Sequence, residues 1–180
     1  MNPLARLFSA LCLLALIAAT VVMLRPVAPP QTPGPPPQAL QGPVDRIVIE
    51  KARRIMTVYR DGAALKTYRI ALGFAPQGAK QRQGDGRTPE GLYRINRRNA
   101  ASAFHLSLGI DYPRPADLAR ARAAGVNPGG DIFIHGQPNG RETAPVLRHD
   151  WTAGCIALSN PEIVELFAAV PIGTEVELRP

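Results

Sequence analysis

Cysteine is nearly absent from this chain: two residues in 180, one of them, Cys12, inside an apolar leader. A single thiol outside the leader excludes a framework of paired cysteines. Closely spaced metal ligands are missing as well. There are three histidines, no H-E-x-x-H and no C-x-x-C, so no metal site and no cofactor is expected. Aromatic residues make up only 6% of the chain, and no block of consecutive basic residues is interleaved with them, which argues against nucleic-acid binding. The glycine-rich stretch at 77–91, QGAKQRQGDGRTPEG, lacks the G-K-[ST] of a phosphate cradle and precedes a strand-like run, so local chemistry makes it a connector.

What the chain does have is positive charge, +7 with a pI near 10.1. That charge suits an anionic partner: nucleic acid, a membrane surface or an acidic polymer such as a cell wall; the arginines are scattered rather than clustered, and most of them read as a solvated basic surface. Arg6 precedes an uncharged apolar run from Leu7 to Leu24. As a helix it would be roughly 27 Å long, close to the thickness of a bilayer core. Residues 1–25 therefore read as a signal peptide or an uncleaved transmembrane anchor, with the anchor favoured because no A-x-A site ends the run cleanly. Cys12 reads as a small apolar residue of that helix, since Leu11 stands where a lipobox needs a small side chain. Residues 26–43, PVAPPQTPGPPPQALQGP, form a proline-rich linker that would reach roughly 55 Å in polyproline geometry. Residues 44–180 remain as the folded domain.

Within that domain the pattern is mainly β. Strands are expected over 45–51, 54–60, 64–72, 91–97, 131–136 and 154–159, with a last one in TEVEL at 174–178. Asp61-Gly62 between the second and third runs signals a hairpin, because its tight turn needs positive φ. Helices are expected over 115–125, proline at its start and glycine past its end, and over 160–170, capped by Ser159 or Asn160 and stopped by Pro171. In the second helix Ile163, Leu166, Phe167 and Val170 share a face.

The remaining cysteine, Cys155, sits in HDWTAGCIALSN at 149–160, after Gly154 and before an apolar run. It could be packing, a ligand or a nucleophile. A buried packing role is common for cysteine, but glycine just before it and a polar loop upstream would expose sulfur at the mouth of a sheet. A nucleophile needs a base, because a free thiol is mostly protonated at neutral pH. His135 ends the run DIFIHG and would serve if its strand neighbours the one starting near Cys155. A third group would then fix its tautomer. Backbone N–H groups near Gly154 and Cys155 could hold an oxyanion. His149 lies in the loop before Cys155 and His105 in the alternating stretch AFHLSLGIDYP; the first reads as a loop or substrate contact, the second as packing or cleft wall.

IFIHG followed by TAGCIALSN resembles the signature of the L,D-transpeptidase (YkuD-type) family: His-Gly, a loop, then [Ser/Thr]-x-Gly-Cys, apolar residues and Asn, here Asn160. GDGRTPEGLYRI at 84–95 is similar to that family's TP-containing motif, and FHLSLGIDYP, NPGGDIFIHG and VPIGTEVEL resemble its proteobacterial murein L,D-transpeptidase and amidase branch. The resemblance covers most of 45–180. It implies a mixed β-sandwich or barrel with two short helices, preceded by one N-terminal transmembrane helix. It also implies an enzyme acting on peptidoglycan stem peptides. Cys155 would be the nucleophile, His135 the general base, and Gly136 its orienter through a backbone carbonyl; Gly154 would belong to the oxyanion hole and cleft. Thr152, Arg148, His149 and Trp151 are substrate-side candidates. The reaction would form 3-3 crosslinks or attach an envelope protein to the wall. The alternatives are hydrolysis that detaches wall-linked protein and a non-catalytic peptidoglycan-binding module. The expected location is the periplasm, anchored by residues 7–24 or released by cleavage. Two positions depart from the family pattern: Ala153 replaces a frequent histidine and Ala157 a frequent arginine, with Arg148 or Arg141 as the expected substitutes for the latter.

Overall fold

The computed structural model describes residues 40–141 and 143–180. The apolar run Leu7–Leu24 and the linker up to residue 39 lie outside the described residues. Eight strands form one sheet: β1 (Arg46–Glu50), β2 (Ile55–Arg60), β3 (Ala63–Arg69), β4 (Gly91–Ser102), β5 (His105–Ile110), β6 (Phe133–His135), β7 (Ile156–Ala157) and β8 (Glu175–Arg179). Among the described residues two helices accompany them, α1 (Pro115–Ala123) and α2 (Asn160–Ala169). The strand order is β3-β2-β1-β8-β4-β5-β6-β7.

β1, β2 and β3 form a meander of antiparallel pairs, Ile47 opposite Val58 and Thr57 opposite Thr67. The turn between β2 and β3 is the expected one, with Asp61 and Gly62 both at positive φ. The chain's last strand, β8, then inserts beside β1 in parallel and beside β4 antiparallel. β4 runs five residues past the expected end at 97. That extension is exposed up to Ala101, with only Ser102 buried, and carries no apolar alternation; it is held as a strand by its ladder to β5. β6 and β7 are shorter than their apolar runs because Asp131 (φ 55°) and Gly154 (φ 136°) turn the backbone immediately before them.

The sheet's two ends meet. Ala71, just past β3, exchanges both backbone hydrogen bonds with Ala157 of β7, at 2.9 and 2.8 Å, and Gly73 bridges to Thr152. The mixed sheet is thereby closed on itself around a core of Ile47, Ile49, Val58, Leu108, Ile134 and Ile156. α2 covers β5 with Ile163, Leu166 and Val170. Ser159 is its N-cap: Glu162 in the first turn accepts from both the Ser159 N–H and hydroxyl, at 2.9 and 2.6 Å. That leaves the Asn160 side chain free for the candidate site.

Candidate active site

β6 and β7 lie side by side in parallel, His135 opposite Ala157 and Ile134 opposite Ile156. Because side chains alternate along a strand, this register places Phe133, His135 and Cys155 on one face and the two isoleucines in the core. A cavity of about 300 Å³ opens on that face, lined among others by Phe104, Ser107, Asp131, Phe133, His135 and Cys155.

The sulfur of Cys155 is held at two points. The Phe133 N–H donates to Sγ, and the thiol donates to the Asp131 carbonyl, each at 3.4 Å. Burial pushes the thiol pKa up, the Phe133 N–H pulls it back in part, and the Asp131 carboxylate adds to the rise. His135 is buried at 3% exposure, and Nδ1 lies 2.7 Å from the Gly136 carbonyl. A carbonyl only accepts, so Nδ1 carries the proton and Nε2 presents its lone pair. Burial lowers the imidazole pKa, against the upward pull of the Gly136 carbonyl. Both shifts favour the uncharged forms, the thiol and the neutral imidazole. The imidazole forms a three-ring cluster with Phe104 and Trp151, at centroid distances of 4.6 and 5.7 Å, and those two rings lie 5.8 Å from each other.

Gly136 has no room for a side chain. A Cβ there would meet Asn160 Oδ1 at 2.6 Å. That same oxygen accepts the Gln137 N–H at 2.8 Å, so Asn160 fixes the turn that carries the carbonyl oriented on His135. Buried Gln137 extends the hold, donating to the Leu158 carbonyl at 2.5 Å and accepting from the Leu147 N–H at 2.9 Å.

The turn before Cys155 is tied by Thr152. Its hydroxyl donates to the Cys155 carbonyl at 2.7 Å and accepts the Gly154 N–H at 3.1 Å. Thr152 is buried and does not line the cavity. The Gly154 N–H, expected as an oxyanion donor, is thus already engaged; the Cys155 N–H stands outside that pair of bonds. Gly154 serves instead by lacking a side chain, since a Cβ would meet the Arg87 carbonyl at 2.7 Å. Asp150 anchors the start of the same turn, accepting from the Leu72 N–H at 2.9 Å and from Arg54 at 2.7 and 3.1 Å. Arg141, Arg148 and His149 are exposed in the loop between Gly136 and Asp150, and none of them lines the cavity. His105 opens β5 with positive φ, its N–H donating to Asn139 Oδ1 at 2.8 Å.

The 77–91 stretch is more than a connector. The buried Lys80 ammonium meets Asp85 at 2.9 Å, and Asp85 also accepts the N–H groups of Gln81, Arg82 and Arg87. The carbonyls so positioned pack where side chains are absent: that of Gly86 against Gly73, that of Arg87 against Gly154. Asn160 closes the TAGCIALSN signature, and Asp131, Phe133, Phe104 and Asp150 lie inside the quoted stretches, but no site role for any of them is legible in the sequence; Arg54 lies outside every motif. Only Gly129-Gly130 before Asp131 hints at the tight backbone there. Among the described residues no group of three or more His, Cys, Asp or Glu side chains gathers as a metal site.

Residues 44–178 match the family model of the L,D-transpeptidase catalytic domain, YkuD. The chain is 30% identical over 139 residues to the YafK protein of Escherichia coli K12, covering 74% of this chain and 50% of that one. The solved structure of the helical cell shape determining protein Pgp2 from Campylobacter jejuni aligns with a TM-score of 0.60 at 27% identity, covering 76% of this chain and 47% of that one. The L,D-transpeptidase of Xylanimonas cellulosilytica shares the fold at 18% identity and a TM-score of 0.52, covering 82% of this chain and 64% of that one. The chain spans about half the length of the curated relatives it matches.

Proposed function

Because the chain belongs to the YkuD family of L,D-transpeptidase catalytic domains, we propose that it is a cysteine-dependent L,D-transpeptidase that acts on peptidoglycan stem peptides through a thioester on Cys155. The observation that carries this reading is the parallel β6–β7 pairing. It sets a thiol and an imidazole with a free Nε2 on one face of one cavity.

In the proposed reaction the donor is a stem tetrapeptide with meso-diaminopimelate at position three. The thiol turns from the Asp131 carbonyl and passes its proton to His135 Nε2 as sulfur attacks the carbonyl of that residue. Two neutral groups in a desolvated wall favour transfer during attack over a standing ion pair. The Cys155 N–H is the backbone donor for the oxyanion that forms. The imidazolium then protonates the departing D-alanine amine, leaving the thioester. An amine of another stem peptide or of an envelope protein resolves it and returns the proton balance through His135. The periplasm, with residues 7–24 as anchor or cleaved leader, is the location proposed for this chemistry.

Intact-mass measurement with a defined tetrapeptide muropeptide tests the reading. The expected result is an acyl adduct on Cys155 that disappears in Cys155→Ala. No adduct from either the tetrapeptide or a carbapenem would sink catalysis and leave a peptidoglycan-binding module. Product masses then separate the acceptors: a dimer marks an amine, a free tripeptide marks water.

A further inference from the structure

The two residues that hold the Cys155 sulfur also hold a cation. Arg97, on β4, lies opposite Gly109 of β5, and Gly109 lies opposite Phe133 of β6. One step further along β6 and β7, the register puts Phe133 level with Cys155. Arg97, Gly109, Phe133 and Cys155 thus form a row across four strands. Gly109 is the gap that makes the row usable. A Cβ there would meet Arg97 Nε at 2.8 Å and Phe133 Cε1 at 3.0 Å. With no side chain in the way, the guanidinium crosses β5 and lies over the Phe133 ring, 4.6 Å from its centroid. There it meets the Asp131 carboxylate at 3.0 Å. β6, whose Phe133 ring carries the guanidinium, runs one strand spacing, about 4.8 Å, from the strand that Cys155 leads into.

This ion pair is poorly placed to stabilise the fold. Its side chains are 44% and 80% exposed, and exposed pairs contribute little. Asp131 also adopts φ 55°, a conformation that side-chain residues rarely take. A guanidinium and a carboxylate held side by side at a cleft mouth complement a ligand group bearing ammonium and carboxylate on one carbon. Such a zwitterion exchanges partners with the pair, and no charge is left unmatched.

We propose that Arg97 and Asp131 read the zwitterionic end of the diaminopimelate side chain, Arg97 taking its carboxylate and Asp131 its ammonium. The inference rests on the reading of Cys155 as the residue that attacks that amino acid's carbonyl. The side chain spans four C–C bonds from the α-carbon to its amino-acid terminus, about 5 Å in projection, which matches one strand spacing. Arg97, held against Asp131 and Phe133 of the cavity lining, thereby supplies beside the cleft a cation that Ala157 does not.

Calorimetric titration of the full chain carrying Cys155→Ala tests recognition without turnover. Two probes are used: tetrapeptides with meso-diaminopimelate or with lysine at position three, the latter having the ammonium but no carboxylate. The meso-diaminopimelate peptide is expected to bind about tenfold more tightly, the worth of one charge-assisted bidentate contact. Adding Arg97→Gln, or Gly109→Ala, which displaces Arg97 without changing charge, collapses that preference to within about twofold. Adding Asp131→Asn weakens both peptides. A preference that survives both Arg97→Gln and Gly109→Ala, equal weakening of both peptides by Arg97→Gln, or no binding of either peptide would overturn the assignment. Failure of the thioester on the unsubstituted chain with the preference intact would instead overturn the catalytic reading alone.

Discussion

At Cys155 and His135 the cavity wall opposes charge on both partners, raising the thiol and lowering the imidazole. A papain-like standing ion pair would show a reactive thiolate well below neutrality. Here, alkylation by neutral iodoacetamide is expected to climb continuously with pH toward a midpoint above the usual thiol range, with no acid plateau. A plateau near pH 6 would mean that the thiolate–imidazolium form is the resting state. The buried imidazole also bears on stability. Its folded pKa is depressed, so its contribution is present above the unfolded value near 6.5 and is lost as pH falls below it. Urea midpoints at pH 7.5 and 5.5 should therefore differ less in His135→Gln than in the parent. The two candidate bases separate in the same assay format: His135→Ala should lose thioester formation by at least about a hundredfold, while His149→Ala, in the exposed loop, keeps most of it. The reverse pattern would reassign the base.

Among the elements, the 77–91 loop is the support on which the nucleophile's turn rests. Burial resists ionisation of Asp85, but the Lys80 ammonium and three backbone N–H groups overcome it and hold the carboxyl pKa at about 2. Its stabilisation is present above the unfolded value near 4 and is lost as pH falls from there toward 2. The shift corresponds to about 2 kcal/mol, and loss of the carboxylate would also leave Lys80 buried without its partner. Asp85→Asn should therefore lower stability by about 3 kcal/mol by urea titration. It should also slow acylation of Cys155, because the Arg87 carbonyl packs on Gly154. Unchanged acylation in a destabilised Asp85→Asn protein would show that the loop supports the fold and not the turn. The sequence shows this loop as glycines and a TP pair, with the turn chemistry readable. That it backs Gly73 and Gly154 is not, since those contacts are backbone against backbone across the chain. β1 to β3 were legible because apolar alternation and Asp61-Gly62 are local signals. The second half of β4 was not: in RRNAAS every residue but Ser102 is exposed, and the strand geometry comes from its ladder to β5.

Across the whole molecule, the candidate site exists because distant segments close one sheet. Cys155 and His135 could be singled out by residue type and neighbouring glycines. Arg97, Asp131 and Phe133 come to the same place through register between β4, β5 and β6, which no local pattern encodes. The insertion of β8 between β1 and β4 is of the same kind, since it pairs the strand with one more than a hundred residues earlier and one more than eighty residues earlier. Closure brings the residues after β3 to those before β7, and Arg54 locks it by gripping Asp150 while Asp150 accepts the Leu72 N–H. Both side chains are partly buried, at 32% and 17% exposure, so the pair is worth more than a surface contact but less than a core one, about 1–2 kcal/mol. If it is the tether, Arg54→Leu and Asp150→Asn should each slow Cys155 acylation, and the double variant should be no slower than the worse single. A double-mutant cycle on the acylation rate reads the coupling directly. Independent, multiplying losses would mean that the Ala71–Ala157 and Gly73–Thr152 bridges close the sheet without help from this ion pair.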